Sequence, residues 1–273
     1  MKNKMSSPIF RRTELLVGTE AMERLSSRSV IIFGVGGVGS WCAESLIRSG
    51  IHRLTIVDSD RVCITNINRQ LMATSQTVGQ VKVDALRERL LTINPKADIT
   101  AIQEIFSEET ADRFDIGSYD YIVDAIDSLR DKALLILMAC QTKARFFSSM
   151  GAALRLDPTR IRVAEFWKVT GDPLARALRN RFKRDKTFPK RKFKCVFSDE
   201  LLQNKGQCAT CGTEQCVCPK AKAGPGNPKL LNHEWCSSKA QINGTLAHIT
   251  AIFGFTLAGL VVQDIIEDTS VKN

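Results

Sequence analysis

From Ser29 to Ser149 the chain alternates between short apolar runs and longer segments with a helical period. SVIIF (29–33), RLTIVD (53–58) and YDYIVDAID (119–127) are short and rich in β-branched and aromatic residues, and RFFSSMGAAL (145–154) follows the last helical segment as a further apolar run. They read as buried strands. ADITAIQE (97–104) alternates as a strand should. Between them, VGSWCAESLIRSG (38–50), VKVDALRERLLTIN (81–94) and LRDKALLILMACQTKA (129–144) return apolar positions at the helical spacing. Gly50 ends the first helix, Pro95 lies just beyond the second, and Ser107 followed by acids predicts a further helix start in SEETADRF (107–114). Such alternation with short turns implies right-handed crossovers and a doubly wound α/β fold with a parallel sheet. LAHITAIFGFTLAGLVV (246–262) is apolar but contains His248 and two threonines, and falls short of a clean membrane span. It is predicted as a buried core helix, with His248 a satisfied core histidine, and membrane association is not expected.

The junction of the first strand and helix, GVGGVGS (34–40), fits G-x-G-x-x-G. In that pattern Gly34 permits the tight turn, Gly36 lets the backbone approach a phosphate, and Gly39 lets the helix pack close to the sheet. The helix N-terminus adds partial positive charge where the phosphate sits. Asp58 ends the next strand, 19 residues after Gly39, where an acid can accept both ribose hydroxyls.

A dehydrogenase could use everything named so far. The next stretch, DSDRVCITNINRQ (58–70), places Asp60, Asn66, Arg69 and Gln70 just past that acid, Lys82 opens the following helix, and Asp127 closes YIVDAID. In a doubly wound sheet these strand ends face one crevice. Hydride transfer has no use for such cations, whereas phosphoryl or nucleotidyl transfer needs Arg and Lys against the charge that builds on the phosphates. A carboxylate such as Asp127 can hold Mg²⁺ together with phosphate oxygens.

After about residue 170 the composition shifts. The chain of 273 residues is 44% hydrophobic, enough for a sizeable core, and carries a formal charge of +10, which points to an anionic partner. RNRFKRDKTFPKRKFK (179–194) holds nine Lys or Arg against one Asp, which is +8 of that total. Phe182, Phe188 and Phe193 interleave with the cations, a composition suited to phosphates and unpaired bases. CATCGTEQCVC (208–218) and a Pro/Gly-rich stretch to Lys229 follow, so 179–229 is expected to be an exposed basic and Cys-rich insertion within one domain spanning 1–273. The N-terminal MKNKMSSPIFRR is basic without an apolar run and reads as an arm rather than a secretory signal.

GVGGVGS, VDSD, NINRQ, GQVK and VDAIDS together resemble the ubiquitin-activating-type, ThiF-like adenylating enzymes, over roughly residues 9–168 and more weakly to the end. RTELLVG, SGIHRLTIVDSD, TNINRQ, TINP and CVFSDE resemble the subgroup that dehydrates threonylcarbamoyladenosine in tRNA. The resemblance implies a Rossmann-like sheet, parallel in its first half and mixed in its second. It implies an ATP site with Gly36 and Gly37 in the loop, Asp58 on ribose, Arg69, Gln70 and Lys82 on phosphates, and Asp127 on magnesium. It sets Arg12 on the γ-phosphate of a neighbouring subunit's ATP, hence a homodimer, and implies a cytoplasmic, tRNA-modifying ligase.

Nine cysteines are too few for a disulfide scaffold of this length. Cys208, Cys211, Cys216 and Cys218 form C-x₂-C-x₄-C-x-C, four thiols in eleven residues, which can make a compact zinc site. An iron–sulfur cluster, thiol or sulfur-relay chemistry with a sulfur-transfer partner, and no role are the other readings. Cys195 and Cys236 are alternative ligands, and Cys42, Cys63 and Cys140 are expected in the core. Three rival functions remain, one of them a non-enzymatic tRNA-binding or scaffolding protein with a relict nucleotide site, against which the intact charged cluster argues. Adenylation of a ubiquitin-like sulfur carrier shares the ATP site but calls for a protein groove. An NAD-dependent oxidoreductase needs Gly34 to Gly39 and Asp58 but leaves Arg69, Lys82 and Asp127 without a role.

Overall fold

A computed structural model describes residues 7–206 and 243–268. Two short N-terminal helices, α1 (Arg11–Val17) and α2 (Thr19–Ser27), precede β1 (Ser29–Phe33), α3 (Gly39–Ser49), β2 (Arg53–Val57), α4 (Lys82–Ile93) and β3 (Asp98–Ile102). Then come β4 (Tyr121–Asp124), α5 (Leu129–Ala139), β5 (Arg145–Ser149), β6 (Ile161–Glu165), α6 (Pro173–Arg184), β7 (Lys194–Ser198) and α7 (Ala247–Glu267). The seven strands form one sheet in the order β3-β2-β1-β4-β5-β7-β6. All neighbours run parallel except β6, which lies antiparallel to β7 at the edge.

The alternation within β1 shows why its apolar run is continuous. Val30 and Ile32 face one core, shared with α3, α4 and α7, and Ile31 and Phe33 face the other, shared with α5 and α6. Both faces are covered, so no position from Val30 to Phe33 favours a polar residue. α7 presents Ile249, Phe253, Leu257, Val261 and Ile265 as a buried stripe. By length and composition it meets the requirements of a membrane span, and half of its apolar window is buried inside the protein. Arg24 of α2 donates from Nε and Nη2 to the carbonyls of Ile265 and Ile266, so the last turn of α7 is capped by a cation from another helix.

Three expectations change. SEETADRF does not make an α-helix: Ser107 heads a turn, closed by Ala111 N–H to its carbonyl at 2.9 Å, and a 3₁₀ turn follows over Ala111–Phe114. Phe106 and Phe114 pack on Phe33 there, a tertiary contact that local propensity does not anticipate. The basic run from Arg179 is built into the fold rather than hung from it, since α6 contributes Leu178 and Phe182 to the core and β7 is an inner strand. His248 is exposed on the first turn of α7, its Nε2 3.1 Å from the Leu156 carbonyl, because the buried stripe of that helix begins one residue later.

Candidate nucleotide site

The glycine loop connects β1 to α3 and its glycines have different duties. Gly34 sits at φ +83°, and a Cβ there would lie 2.7 Å from the Ala125 carbonyl oxygen of the neighbouring β4 loop. A Cβ on Gly39 would lie 1.8 Å from the Gly34 carbonyl oxygen, so the turn itself closes only with glycine at that position. Around Gly36 the nearest atom to such a Cβ is Gln70 Nε2 at 3.7 Å, which leaves its backbone open to a ligand. Gly37 backs onto Thr250 of α7. Ser40 Oγ donates to the Gly36 carbonyl at 2.6 Å and holds the loop against the first turn of α3.

Beside this loop stands a group of charges assembled from two strand ends and one helix start. Asp58, just past β2, accepts from Val35 N–H at 2.8 Å and Asp60 N–H at 2.9 Å, tying the glycine loop to the β2 loop. Lys82, the first residue of α4, places Nζ 2.7 Å from Asp60 Oδ2 and 3.8 Å from Asp58 Oδ1 while only 7% of its side chain is exposed. Burial alone would draw the Lys82 ammonium down, but Asp58, Asp60 and Asp127 outweigh it and hold it above the ordinary lysine range. Burial pushes the Asp58 carboxyl up, Lys82 and the two backbone N–H groups oppose this, and the charge on Asp60 adds to the rise.

The loop of residues 64–70 forms the opposite side. Asn66 is buried and its Oδ1 accepts from Cys63 N–H at 3.0 Å, so its side chain shapes the loop. Arg69 is half-buried, and its Nη1 donates to the Thr65 carbonyl and to Asn68 Oδ1, both at 2.9 Å. Its carbonyl accepts from Trp41 Nε1 at 3.1 Å, which anchors the loop on α3. Gln70 is buried, faces Gly36, and keeps Oε1 buried without a hydrogen-bond partner among the described residues. A polar atom in that state costs free energy unless something supplies a donor.

Asp127 is exposed in the loop between β4 and α5, three residues beyond the strand end at Asp124. Ser128 next to it caps α5. A buried ion pair that the chain alone does not display holds this loop. Asp124 and Lys132 are fully buried and paired at 2.7 Å. Asp124 Oδ1 accepts from Ile126 N–H at 3.0 Å, Lys132 Nζ donates to the Ile126 carbonyl at 2.9 Å, and Ser148 Oγ donates to Asp124 Oδ2 at 2.7 Å. A charge inside an apolar strand and another on the buried stripe of the next helix were the available signals.

The structure brings Gly34, Gly36, Gly37, Gly39, Asp58, Asp60, Gln70 and Lys82 together; Asp127 faces the group through its charge on Lys82. It does not bring Arg12 there by any described contact: Arg12 is exposed on α1, beside the exposed Ile9, Leu15 and Leu16. Among the described residues no three His, Cys, Asp or Glu side chains converge as a metal site. Cys208, Cys211, Cys216, Cys218 and Cys236 lie outside the described residues. Cys195 is buried in β7, and Cys42 and Cys140 are core residues, whereas Cys63 is half-buried and precedes a 3₁₀ turn. Burial in low dielectric pushes the thiols of Cys42, Cys140 and Cys195 up, away from the thiolate that a ligand or nucleophile needs. Of the three phenylalanines in the basic run, Phe182 and Phe193 are core residues and Phe188 is 51% exposed, which corrects the expectation that all three offer rings to bases.

Fold and site together define a nucleotide-binding α/β protein whose glycine loop is faced by a buried lysine and a cluster of carboxylates. The chain belongs to the ThiF family, whose model matches residues 10–273. It is 35% identical over 265 residues to the tRNA threonylcarbamoyladenosine dehydratase of Bacillus subtilis, covering 96% of each chain. To the protein of the same name from Escherichia coli it is 36% identical over 251 residues, 90% of this chain and 89% of the relative. The crystal structure of the E. coli tRNA N6-threonylcarbamoyladenosine dehydratase in complex with ATP matches with a TM-score of 0.79 at 30% identity, over 98% of this chain and 100% of that one.

Proposed function

We propose that this chain uses ATP to dehydrate threonylcarbamoyladenosine in tRNA, through an adenylated carboxylate. The observation that carries the reading is Lys82, buried and held cationic 2.7 Å from Asp60 beside a glycine loop. Relatives named for this reaction, matched along nearly the whole chain, add to it. The open backbone at Gly36, with the Gln70 Nε2 donor beside it, fits a nucleotide with phosphates to offer.

The chemistry requires little more. The free carboxylate of the threonylcarbamoyl group is a poor electrophile, because its oxygen leaves badly. Attack of that oxygen on the α-phosphorus of ATP releases pyrophosphate and forms an acyl-adenylate. The carbamoyl part of the same side chain then attacks the activated carbonyl carbon, and AMP leaves with the oxygen that would have been lost as water. This second step is intramolecular, where positioning alone can contribute ~7–11 kcal/mol, so no protein nucleophile is needed. In this reading Asp58 holds the ribose, Lys82, Arg69 and Gln70 face the phosphates, and the backbone of Gly36 and Gly37 approaches them. Asp60 and Asn66 hold Lys82 and the loop in place. Magnesium uses one or two carboxylates plus phosphate oxygens, and Asp127 is the exposed carboxylate suited to that role.

A tRNA substrate accounts for the net charge of +10 and fits a cytoplasmic protein. Arg12, on a helix with exposed apolar side chains, supports a homodimer in which it acts across the interface. The test is to incubate the protein with ATP and tRNA carrying threonylcarbamoyladenosine, digest to nucleosides and weigh them. Loss of one water from that nucleoside, with AMP formed in equal amount, is the expected result. AMP formation that depends on a ubiquitin-like carrier and leaves the nucleoside mass unchanged would transfer the assignment to carrier adenylation.

A further inference from the structure

The burial of Phe182 and Phe193 leaves Phe188 as the exposed ring of the basic run, and the fold gives it a neighbour that the linear sequence does not. Trp167 lies with its ring centroid 6.1 Å from that of Phe188, the planes tilted by 41°. Both are solvent-exposed, at 37% and 51%. Single exposed apolar residues are ordinary, but two large aromatic rings side by side in water forfeit the burial that usually places such rings in cores.

The pair is anchored. Trp167 packs edge-on against the buried Phe166 at 5.2 Å, Phe166 stacks on Phe193 at 5.0 Å, and Phe193 meets Phe146 at 5.0 Å. A column of rings therefore runs from the core to the surface and fixes the outermost two. Arg179 steadies the same column: its guanidinium stands 5.8 Å from the Phe166 ring and Nη1 donates to the Phe166 carbonyl at 3.1 Å.

The chain around the pair is cationic. Lys168 follows Trp167, and Lys183, Arg184, Lys186 and Lys190 flank Phe188 along the chain, all exposed. Lys186 is also in an unusual conformation. α6 ends in a Schellman turn, with Thr187 N–H donating to the Phe182 carbonyl at 3.0 Å and Lys186 N–H to the Lys183 carbonyl at 3.4 Å. That turn puts Lys186 at φ +50°, where glycine is the usual residue. A lysine there accepts backbone strain and keeps a cation two residues from Phe188.

We propose that Trp167 and Phe188 form a stacking platform for an unpaired base of an RNA substrate, with the surrounding lysines on its phosphates. Every base offers a π-face and every nucleotide a negative charge, so rigid exposed rings in a cationic frame match single-stranded RNA. This rests on the proposal that the substrate is tRNA, and adds where its unpaired bases are received.

The test uses the full-length protein and two probes, tRNA and a single-stranded RNA oligonucleotide carrying one 2-aminopurine. Trp167→Ala and Phe188→Ala should each weaken binding roughly 5- to 150-fold, the range for one lost base–aromatic stack. They should abolish quenching of the 2-aminopurine and leave the slope of log K against log salt unchanged. Trp167→Phe should retain the quenching. Lys186→Gly should raise the unfolding temperature while lowering the salt slope by up to ~0.7, as one single-strand phosphate contact is lost; a merely structural lysine would move the first and not the second. Phe188 lies in an exposed loop, so Phe188→Ala carries the test if Trp167→Ala does not fold. If wild type binds tRNA and both alanine variants bind it equally well, the platform is overturned and the tRNA reading stands. Absence of any RNA binding by wild type overturns both. Ring variants that lose an acidic carrier protein but not RNA assign the patch to a protein partner.

Discussion

Lys132 Nζ lies 2.7 Å from Asp124 Oδ2, and neither side chain is exposed to solvent. Both also bond the backbone of Ile126, one residue before Asp127. The pair therefore clamps the loop that carries the proposed magnesium ligand. Lys132→Met leaves a buried carboxylate unpaired and should cost about 3–5 kcal/mol of stability by urea unfolding. The double variant with Asp124→Asn should lose less, because the stranded charge is gone. A double variant at least as unstable as the single one would show that the ion pair is not what matters there.

Lys82 and Asp127 should separate catalysis from stability. Either Lys82→Ala or Asp127→Asn should lower turnover by ~10²–10³, the scale for one lost electrostatic stabiliser. Lys82 is buried between two carboxylates, so its removal should also lower the unfolding midpoint. Asp127 is exposed, and its variant should stay within ~0.5 kcal/mol of wild type. Wild-type turnover in both would remove the cluster from the reaction.

Asp120 gives a pH test remote from the site. Burial would raise its carboxyl, but Ser29 N–H, Ser29 Oγ and the Arg28 guanidinium outweigh that and hold it below the ordinary carboxylate value. A folded-state value below the unfolded one means stability that is present above about pH 4 and is lost as pH falls further, through the folded value. Asp120→Asn should flatten that acid limb in urea titrations from pH 6 downward. An acid limb as steep as that of wild type would contradict the assignment.

Arg12 has no described contact with its own nucleotide site, and it shares α1 with Leu15 and Leu16, 80% and 85% exposed. If it acts on a partner's ATP, mixing Arg12→Ala chains with Lys82→Ala chains should restore one working site in each mixed dimer. Mixtures that stay inactive after verified subunit exchange would argue for action within one chain.

Cys208, Cys211, Cys216 and Cys218 keep their sequence-based expectation of a metal, zinc first. Elemental analysis of protein prepared reduced and without chelator should find about one equivalent per chain. Metal-free protein under those conditions would return the four thiols to redox chemistry or to no role.

Local chemistry made much of this molecule legible before any coordinates. The βαβ alternation needs only periodicity and punctuation: an apolar run buried on both faces, a glycine in the left-handed region at Gly50, Pro95 beyond a helix end. Gly34, Gly36 and Gly39 mark their loop because each fails or succeeds on the space for one Cβ. Asp58 follows, since parallel strand ends must meet in one crevice, and Lys82 opens the next helix. What the chain alone could not display were relations between distant segments. Phe182 and Phe188 are six residues apart in one basic run, yet one fills the core under α6 and the other stands in water beside Trp167. A run of cations reads the same whether it ends a helix, crosses a turn or enters an inner strand of a sheet. Its place was decided by packing: α6 lays Leu178 and Phe182 against the face of the sheet, and β7 fills the gap between β5 and the antiparallel edge. The Asp124–Lys132 pair has the same origin, because a charge becomes tolerable inside a core only when the fold delivers its counter-charge to within 3 Å.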